Sequence, residues 1–236
     1  MVPFVGEIIP DVNVSPETKV VCFGAYSMRK LGVKKNWYPG VYDIEWFTYQ
    51  SLISALGQDV LNHDAIFGKF GDISPPSDLV FIRPTHDGKE FAGTVQSSDQ
   101  FVVWRQRVVD LGLADNGSTL TADTEVMMAP VKKIYNERRN FVVGGKVITN
   151  SQYKIGRRVV YGETDQYMKV AQSFVDRLNP FIDQPYVIDV AETDDGPKVI
   201  ELNTLNCAGF YACDVQKLIA AIIDHEEGSV YHDNPR

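Results

Sequence analysis

Apolar and polar residues alternate from Tyr186 to Thr193, break at Asp194-Asp195-Gly196, and resume from Lys198 to Asn203. This period of two predicts two strands joined by a tight turn. Residues two apart on a strand share a face, so Glu201 and Asn203 point one way and Asp189, on the partner strand, can face them. Further strands are expected at Lys19–Phe23, Asp59–Asn62, Leu79–Arg83 and Val126–Ala129. Arg139–Thr149 reads as a hairpin whose Gly144-Gly145 turn suits type I′ geometry. Helical spacing predicts Asp43–Leu56, with Ile44, Phe47, Leu52, Ile53 and Leu56 inward and Gly57 closing it. A second helix is expected at Asp165–Leu178, with Met168, Ala171, Phe174, Val175 and Leu178 inward and Asn179-Pro180 ending it. A third begins at Asp214, with Val215, Leu218, Ile219, Ile222 and Ile223 as its apolar face. Ser98–Gly112 is weakly patterned around Phe101, Val102, Val103 and Trp104. Gly24–Gly40 has no clean period and reads as a loop that could help bind substrate. Ser74-Pro75-Pro76-Ser77-Asp78 is the clearest linker, and the polar tail from Gly228 to Arg236 is expected to fray.

With 236 residues and 44% hydrophobic positions, the chain can bury one large core or two small ones. A net charge of -8 and a pI near 5.0 argue against a dominant role on nucleic acid or an anionic membrane. Cys22, Cys207 and Cys213 cannot all pair and match no zinc spacing, which points to a reducing cytoplasm. Cys207 lies near the acidic strand pair, but no neighbouring histidine activates it, and a small packing residue is the expected reading. His63, His86, His225 and His232 form no ligand spacing. The start of the sequence has no basic, apolar leader pattern, and no run reaches the roughly 20 apolar residues that span a bilayer.

Two carboxylates and an amide oxygen on one sheet face form a hard oxygen set suited to Mg²⁺. Because Mg²⁺ commonly shares its shell with phosphates, a nucleotide is the expected co-ligand. A strand carrying Asp189, a turn, then Glu201-Leu202-Asn203 with Gly209 a few residues later resembles the end of the ATP-grasp fold. The resemblance runs backwards through Glu137-Arg138-Arg139-Asn140, Glu125–Pro130, Thr85–Gly93 and Val80-Phe81-Ile82-Arg83-Pro84. It covers about Asp78 to Asp224 and is similar to the clade with Arg in place of the usual Lys on the first phosphate strand. Order and spacing together carry it; no one motif does.

The resemblance implies an α/β (α+β) ATP-grasp fold, two lobes gripping a nucleotide. A small α/β domain over 1–76 would precede it; the grasp domain would run over 77–227, split near 124, with 228–236 as tail. It implies ATP and Mg²⁺ as cofactors, with Asp189, Glu201 and Asn203 as metal ligands. Arg83, whose planar fork suits phosphate oxygens, and Lys89 in a glycine-bearing lid would hold phosphate. Met127, Met128 and Ala129 would line the adenine slot. Glu125 or Glu137 would meet the ribose or adenine edge, Glu137 alternatively standing near the metal or substrate. Arg139 would orient the reacting carboxylate or stabilise an acylphosphate. Ser151, Tyr153, Lys154 and Arg157 form a polar stretch beside the acceptor, with Lys154 the preferred catalytic partner. Each has a plainer alternative: an acidic surface, a strand-end arginine in solvent, a core strand at Val126–Pro130, or a solvated patch of Lys132, Lys133, Arg138 and Arg139.

The activity implied is amide or peptide-like bond formation from a small-molecule or peptide carboxylate and an amine, with ATP split through an acylphosphate. A kinase on the same scaffold and a non-catalytic nucleotide-binding module stay open as alternatives, and a homodimer is left open.

Overall fold

The structure, a computed structural model, describes residues 14–24, 27–85, 90–111, 119–162 and 167–228. In chain order the elements begin with β1 (Val20–Val21), α1 (Ser27–Lys35), β2 (Pro39–Gly40) and α2 (Tyr49–Leu56). There follow β3 (Ile66–Lys69), β4 (Leu79–Pro84), β5 (Thr94–Ser97), α3 (Ser98–Leu111) and β6 (Glu125–Pro130). The C-terminal half holds β7 (Ile134–Val143), β8 (Lys146–Ile155), β9 (Arg158–Gly162), α4 (Met168–Leu178), β10 (Tyr186–Thr193), β11 (Gly196–Thr204) and α5 (Val215–Gly228).

Spatial contacts divide the chain into two compact units. The first comprises Met1–Ile44, Arg138–Asp189 and Leu202–Arg236; the second, Glu45–Glu137 and Val190–Glu201. Strands β7, β10 and β11 each pass from one to the other. These strands belong to a five-stranded sheet in the order β11-β10-β7-β8-β9. A four-stranded antiparallel sheet, β3-β6-β4-β5, lies within the second unit.

The core of the first unit gathers Tyr42, Phe141, Val143, Val187, Leu205, Cys213, Leu218 and Ile222. Phe141 and Val143 on β7 are two apart, and Leu218 and Ile222 on α5 are four apart, the spacings that keep side chains on one face. In the second unit Phe70, Ile73, Val80, Ile82, Phe101, Val126 and Met128 form the core. Phe70 meets Phe101 and Trp104 edge to face at 5.4 and 4.7 Å, an arrangement that aligns ring edges with ring faces.

The strand pair β10–β11 and the β7–β8 hairpin form as expected. Gly144 and Gly145 take φ of +55° and +70°, as a type I′ turn requires. The hairpin strands run further than Arg139–Thr149, because the ladder continues back to Ile134 and on to Ile155. A strand at β9 was not expected. Its signal was Gly156, which takes φ +54° in a two-residue turn before Val159-Val160-Tyr161.

Other expectations need correction. Gly24–Gly40 contains helix α1 rather than a loop throughout; among its described side chains Leu31 is buried and Met28 half-buried, too few for a visible period. Lys34 and Lys35 complement its C-terminal dipole, and Asn36 at φ +52° ends it. Helix α2 begins at Tyr49, not Asp43, because Thr48 Oγ1 accepts the Ser51 N–H and caps it there. Asp59–Asn62 forms no strand: Gly57–Asp59 is a 3₁₀ turn, and Val60 makes one isolated bridge to Val199. The Lys19–Phe23 strand shortens to β1, paired in parallel with β2. Helix α3 escaped the pattern because Val102, Val103 and Val109 are exposed and blur its stripe. On α5 only Leu218 and Ile222 of the expected face are buried; Val215, Ile219 and Ile223 are exposed. The described part of α4 starts at Met168, and Asp165 lies outside the described residues, as do 229–236.

Buried Asn206 ties β1 and β2 to the segment after β11. Its amide donates to the carbonyls of Cys22 and Gly40, and its Oδ1 accepts the Tyr42 N–H at 2.8 Å. Asn206→Leu would strand these backbone groups, and a stability loss of about 3 kcal/mol is expected in urea denaturation.

Candidate functional site

In the first unit the site grows from one cross-strand ion pair. Arg139 on β7 donates through Nε to Asp189 Oδ1 at 3.0 Å and through Nη2 to Oδ2 at 2.7 Å. This two-point fork fixes the guanidinium plane as well as its position. The Asp189 side chain is 1% exposed and that of Arg139 12%. Burial penalises the Arg139 charge, but Asp189 more than offsets it, so the guanidinium holds its proton above the ordinary range. Asn203 on β11 extends the row, its amide 3.4 Å from Asp189 Oδ2.

On the other side of Arg139 stand aromatic rings. Its guanidinium carbon lies 5.5 Å from the Tyr153 ring and 5.2 Å from that of Tyr211. Thr149, Ser151 and Tyr153 alternate along β8. Thr149 accepts the Asp214 N–H at 2.9 Å and Ser151 accepts the Ala212 N–H at 3.1 Å, so this one strand face moors the segment that carries Tyr211. Ser151 is fully buried in that role. Tyr211 adopts φ +52°, a left-handed conformation costing a non-glycine residue about 1–2 kcal/mol. Arg138, one residue from Arg139, is buried and stacks 3.3 Å from the Tyr167 ring centroid. The two arginines are therefore not a solvated patch. Lys132 likewise pairs with Asp64 at 2.7 Å.

In the second unit Arg83, near the end of β4, is ion-paired with Glu201 on β11, each half-buried. Tyr49, at the start of α2, is close enough for both charges to act on it. Burial, offset in part by Asn62 and Arg83, pushes its phenol up to about 12. Gly93 packs where a Cβ would meet the Phe81 ring at 2.8 Å, so its lack of a side chain is set by contact with β4. Lys89 and His86 lie outside the described residues.

Strand β6 is buried from Val126 to Ala129. Its residues Val126, Met127 and Met128 pair with β3 on one edge and β4 on the other, whereas Ala129 and Pro130 pair with β4 alone among the described strand pairs. Glu125 is exposed, and its carbonyl accepts the Thr85 N–H at 3.0 Å. Glu137 is buried at the middle of β7. Lys154 is half-buried on β8 opposite Val159. Cys207 is exposed rather than packed, while Cys22 and Cys213 are buried thiols.

Among the described residues no three His, Cys, Asp or Glu side chains gather as a metal cluster. The expected set is instead two carboxylates and an amide, all hard oxygen donors of the kind Mg²⁺ takes, and the donor chemistry fits. Asp189 and Asn203 lie in the first unit and Glu201 in the second, each carboxylate held by one arginine.

A family model described as an ATP-grasp domain, family 3 of the arginine-for-lysine clade, matches residues 11–222. The chain belongs to that family. Its α+β architecture is the ATP-grasp fold. D-alanine–D-alanine ligase from Bacillus anthracis complexed with ATP superposes with a TM-score of 0.56 at 13% identity, over 89% of this chain and 79% of that one. D-cycloserine synthetase DcsG gives a TM-score of 0.51 at 14% identity, over 76% and 68%. At such identities the likeness is one of fold. No curated protein sequence matches the chain. Among the described residues of this ATP-grasp chain no helix is long and apolar enough to cross a membrane.

Sequence reading missed Tyr49, Tyr161 and Tyr211 as site neighbours. Tyr161 stacks on Tyr211 at 5.3 Å. The only local signal for Tyr211 was its place among Gly209, Phe210 and Ala212, just after the acidic strand pair.

Two outcomes follow from these charges. Arg139→Met leaves Asp189 charged and buried, and a loss of about 3–5 kcal/mol is expected in chemical denaturation, largely recovered by adding Asp189→Leu. Tyr49 stays neutral in the folded protein while the unfolded phenol ionises near its ordinary value of about 10. Its contribution is complete below that value and is lost as pH rises towards 12. Tyr49→Phe should therefore flatten the alkaline fall in stability between about pH 10 and 12 by roughly 2 kcal/mol. Denaturation curves across that range check it.

Proposed function

We propose that this ATP-grasp protein is an ATP-dependent carboxylate–amine ligase. It forms an amide or peptide-like bond through an acylphosphate and releases ADP and phosphate. The carrying observation is the family match over residues 11–222, a span that includes Arg83, Arg139, Asp189, Glu201 and Asn203 in the order the chemistry needs. The ligase superposed above with ATP shares the fold, which supports the same reading. The grasp domain is taken as 77–227, following a small α/β region over 1–76.

In this reading Asp189, Glu201 and Asn203 would supply oxygens to Mg²⁺, and the bound ion would supply neutralisation of phosphate charge. Arg83 and Lys89 bind phosphate oxygens. Glu125, Met127, Met128, Ala129 and Glu137 serve the nucleoside, and the edge of β6 left open at Ala129 favours that residue for backbone contact with adenine. Arg139 holds the reacting carboxylate, and Lys154 acts beside it. Developing negative charge on the transferred phosphoryl and acyl oxygens is where fixed cations of this kind lower a barrier. The substrates are a small-molecule or peptide carboxylate and an amine, in a cytoplasmic setting.

Arg83 is paired with Glu201, so the residue read for phosphate and the residue read for metal neutralise each other in this structure. Titration calorimetry with ADP or a non-hydrolysable ATP analogue, with and without Mg²⁺, tests the reading. Wild type should bind more tightly with Mg²⁺, and Glu201→Ala should lose that dependence. Absence of nucleotide binding by wild type in both conditions overturns the reading. Phosphate release that requires an added amine separates a ligase from a kinase.

A further inference from the structure

Five side chains cross the larger sheet in strand order, one from each strand: Asn203 (β11), Asp189 (β10), Arg139 (β7), Tyr153 (β8) and Tyr161 (β9). The acidic end is bound up in the fork between Asp189 and Arg139. The aromatic end is a ladder. Tyr153 and Tyr211 stack at 5.0 Å with 12° between planes, and Tyr161 and Tyr211 at 5.3 Å with 24°. Such distances and angles are those of offset parallel stacking.

Three features set this ladder apart from core packing. Tyr161 and Tyr211 are 58% and 41% exposed, so the stack reaches solvent. Tyr211 holds its place at φ +52°, in a backbone conformation that a tyrosine seldom takes. A bulge aims the third ring: between the pairs Gln152↔Gly162 and Lys154↔Val159, Tyr153 alone faces both Val160 and Tyr161. Bulges re-aim side chains in this way beside functional sites.

We propose that the ladder recognises an aromatic group on the carboxylate substrate. The proposal rests on the reading of Arg139 as the residue that holds that carboxylate. Arg139 spends Nε and Nη2 on Asp189, and among the described residues Nη1 donates to no acceptor. Gly209 keeps the approach open: a Cβ there would sit 3.9 Å from Arg139 Nη1 and 3.6 Å from the Tyr211 ring. Nη1 and the Tyr211 ring therefore border the same space beside Gly209. A cationic ligand fits less well, for two reasons. A cage for a cation surrounds it with converging faces, whereas these rings lie near-parallel, 12° and 24° apart. The ring faces also already have a cation beside them, the Arg139 guanidinium.

Phenylpropanoate and its saturated counterpart cyclohexylpropanoate share the carboxylate and the bulk but differ in aromaticity. Calorimetry and saturation-transfer NMR on the full chain should show the aromatic acid bound about fivefold more tightly by wild type, the effect of one stacked pair. Tyr161→Phe should keep that preference, Tyr161→Leu should abolish it, and Gly209→Ala should weaken both acids. Equal binding, binding of neither acid, or a preference that survives Tyr161→Leu overturns the proposal. ADP release is scored separately, with each acid and a pool of amines. Aromatic preference without ADP release counts against the ligase reading alone. ADP release with no aromatic preference counts against the ladder alone.

Discussion

The larger sheet depends on the pairing of Arg139 with Asp189 across neighbouring strands. Asp189 is buried and Arg139 largely so on the neighbouring strand, and a buried charge is tolerated only when its partner is correctly placed. The fork therefore demands a definite register between β7 and β10. A slip of one residue would turn each side chain to the opposite face and leave two charges without partners. Once that register is set, Asn203 falls beside Asp189 on one side, and Tyr153 and Tyr211 fall beside Arg139 on the other.

The rest of the first unit supports this arrangement. Alternate residues of β8 divide the labour: Thr149 and Ser151 moor the segment after β11, and Tyr153 meets the ring which that segment delivers. Asn206 secures the same segment to β1 and β2. The strain of Tyr211 is thus held by hydrogen bonds on both sides of it in sequence. The second unit repeats the motif of a cation matched to a carboxylate, with Arg83 and Glu201 half-buried and the neutral phenol of Tyr49 close by.

Much of the scaffold could be read locally. β10 and β11 formed where period-two alternation was read, although β10 is buried on both faces from Tyr186 to Ala191; paired glycines marked the β7–β8 turn, and Gly57 marked the end of α2. Errors arose where local signals were sparse or contradicted by exposure. Helix α1 has few buried positions, α3 shows valines to solvent, and half the apolar stripe of α5 is exposed. The start of α2 depended on a side-chain cap at Thr48 that the apolar pattern does not register. The charged residues proposed for the site were all legible as types, because carboxylates and arginines at strand positions carry chemical meaning. Their partners were not.

Taken alone, the sequence marked most of the strands and the alternation of faces along each, since both follow from short-range backbone geometry. It also determined the chemical inventory of hard oxygens and planar cations at strand positions. Only the tertiary structure decided who meets whom. The order β11-β10-β7-β8-β9 puts residues 203, 189, 139, 153 and 161 in one row, although they are scattered along the chain. Strand pairing is a long-range choice, made by hydrogen bonds and burial across the whole sheet, and no local pattern encodes it. The same choice gives Arg138 and Arg139 partners where the plainer alternative had only solvent, Arg138 on the Tyr167 ring and Arg139 on Asp189.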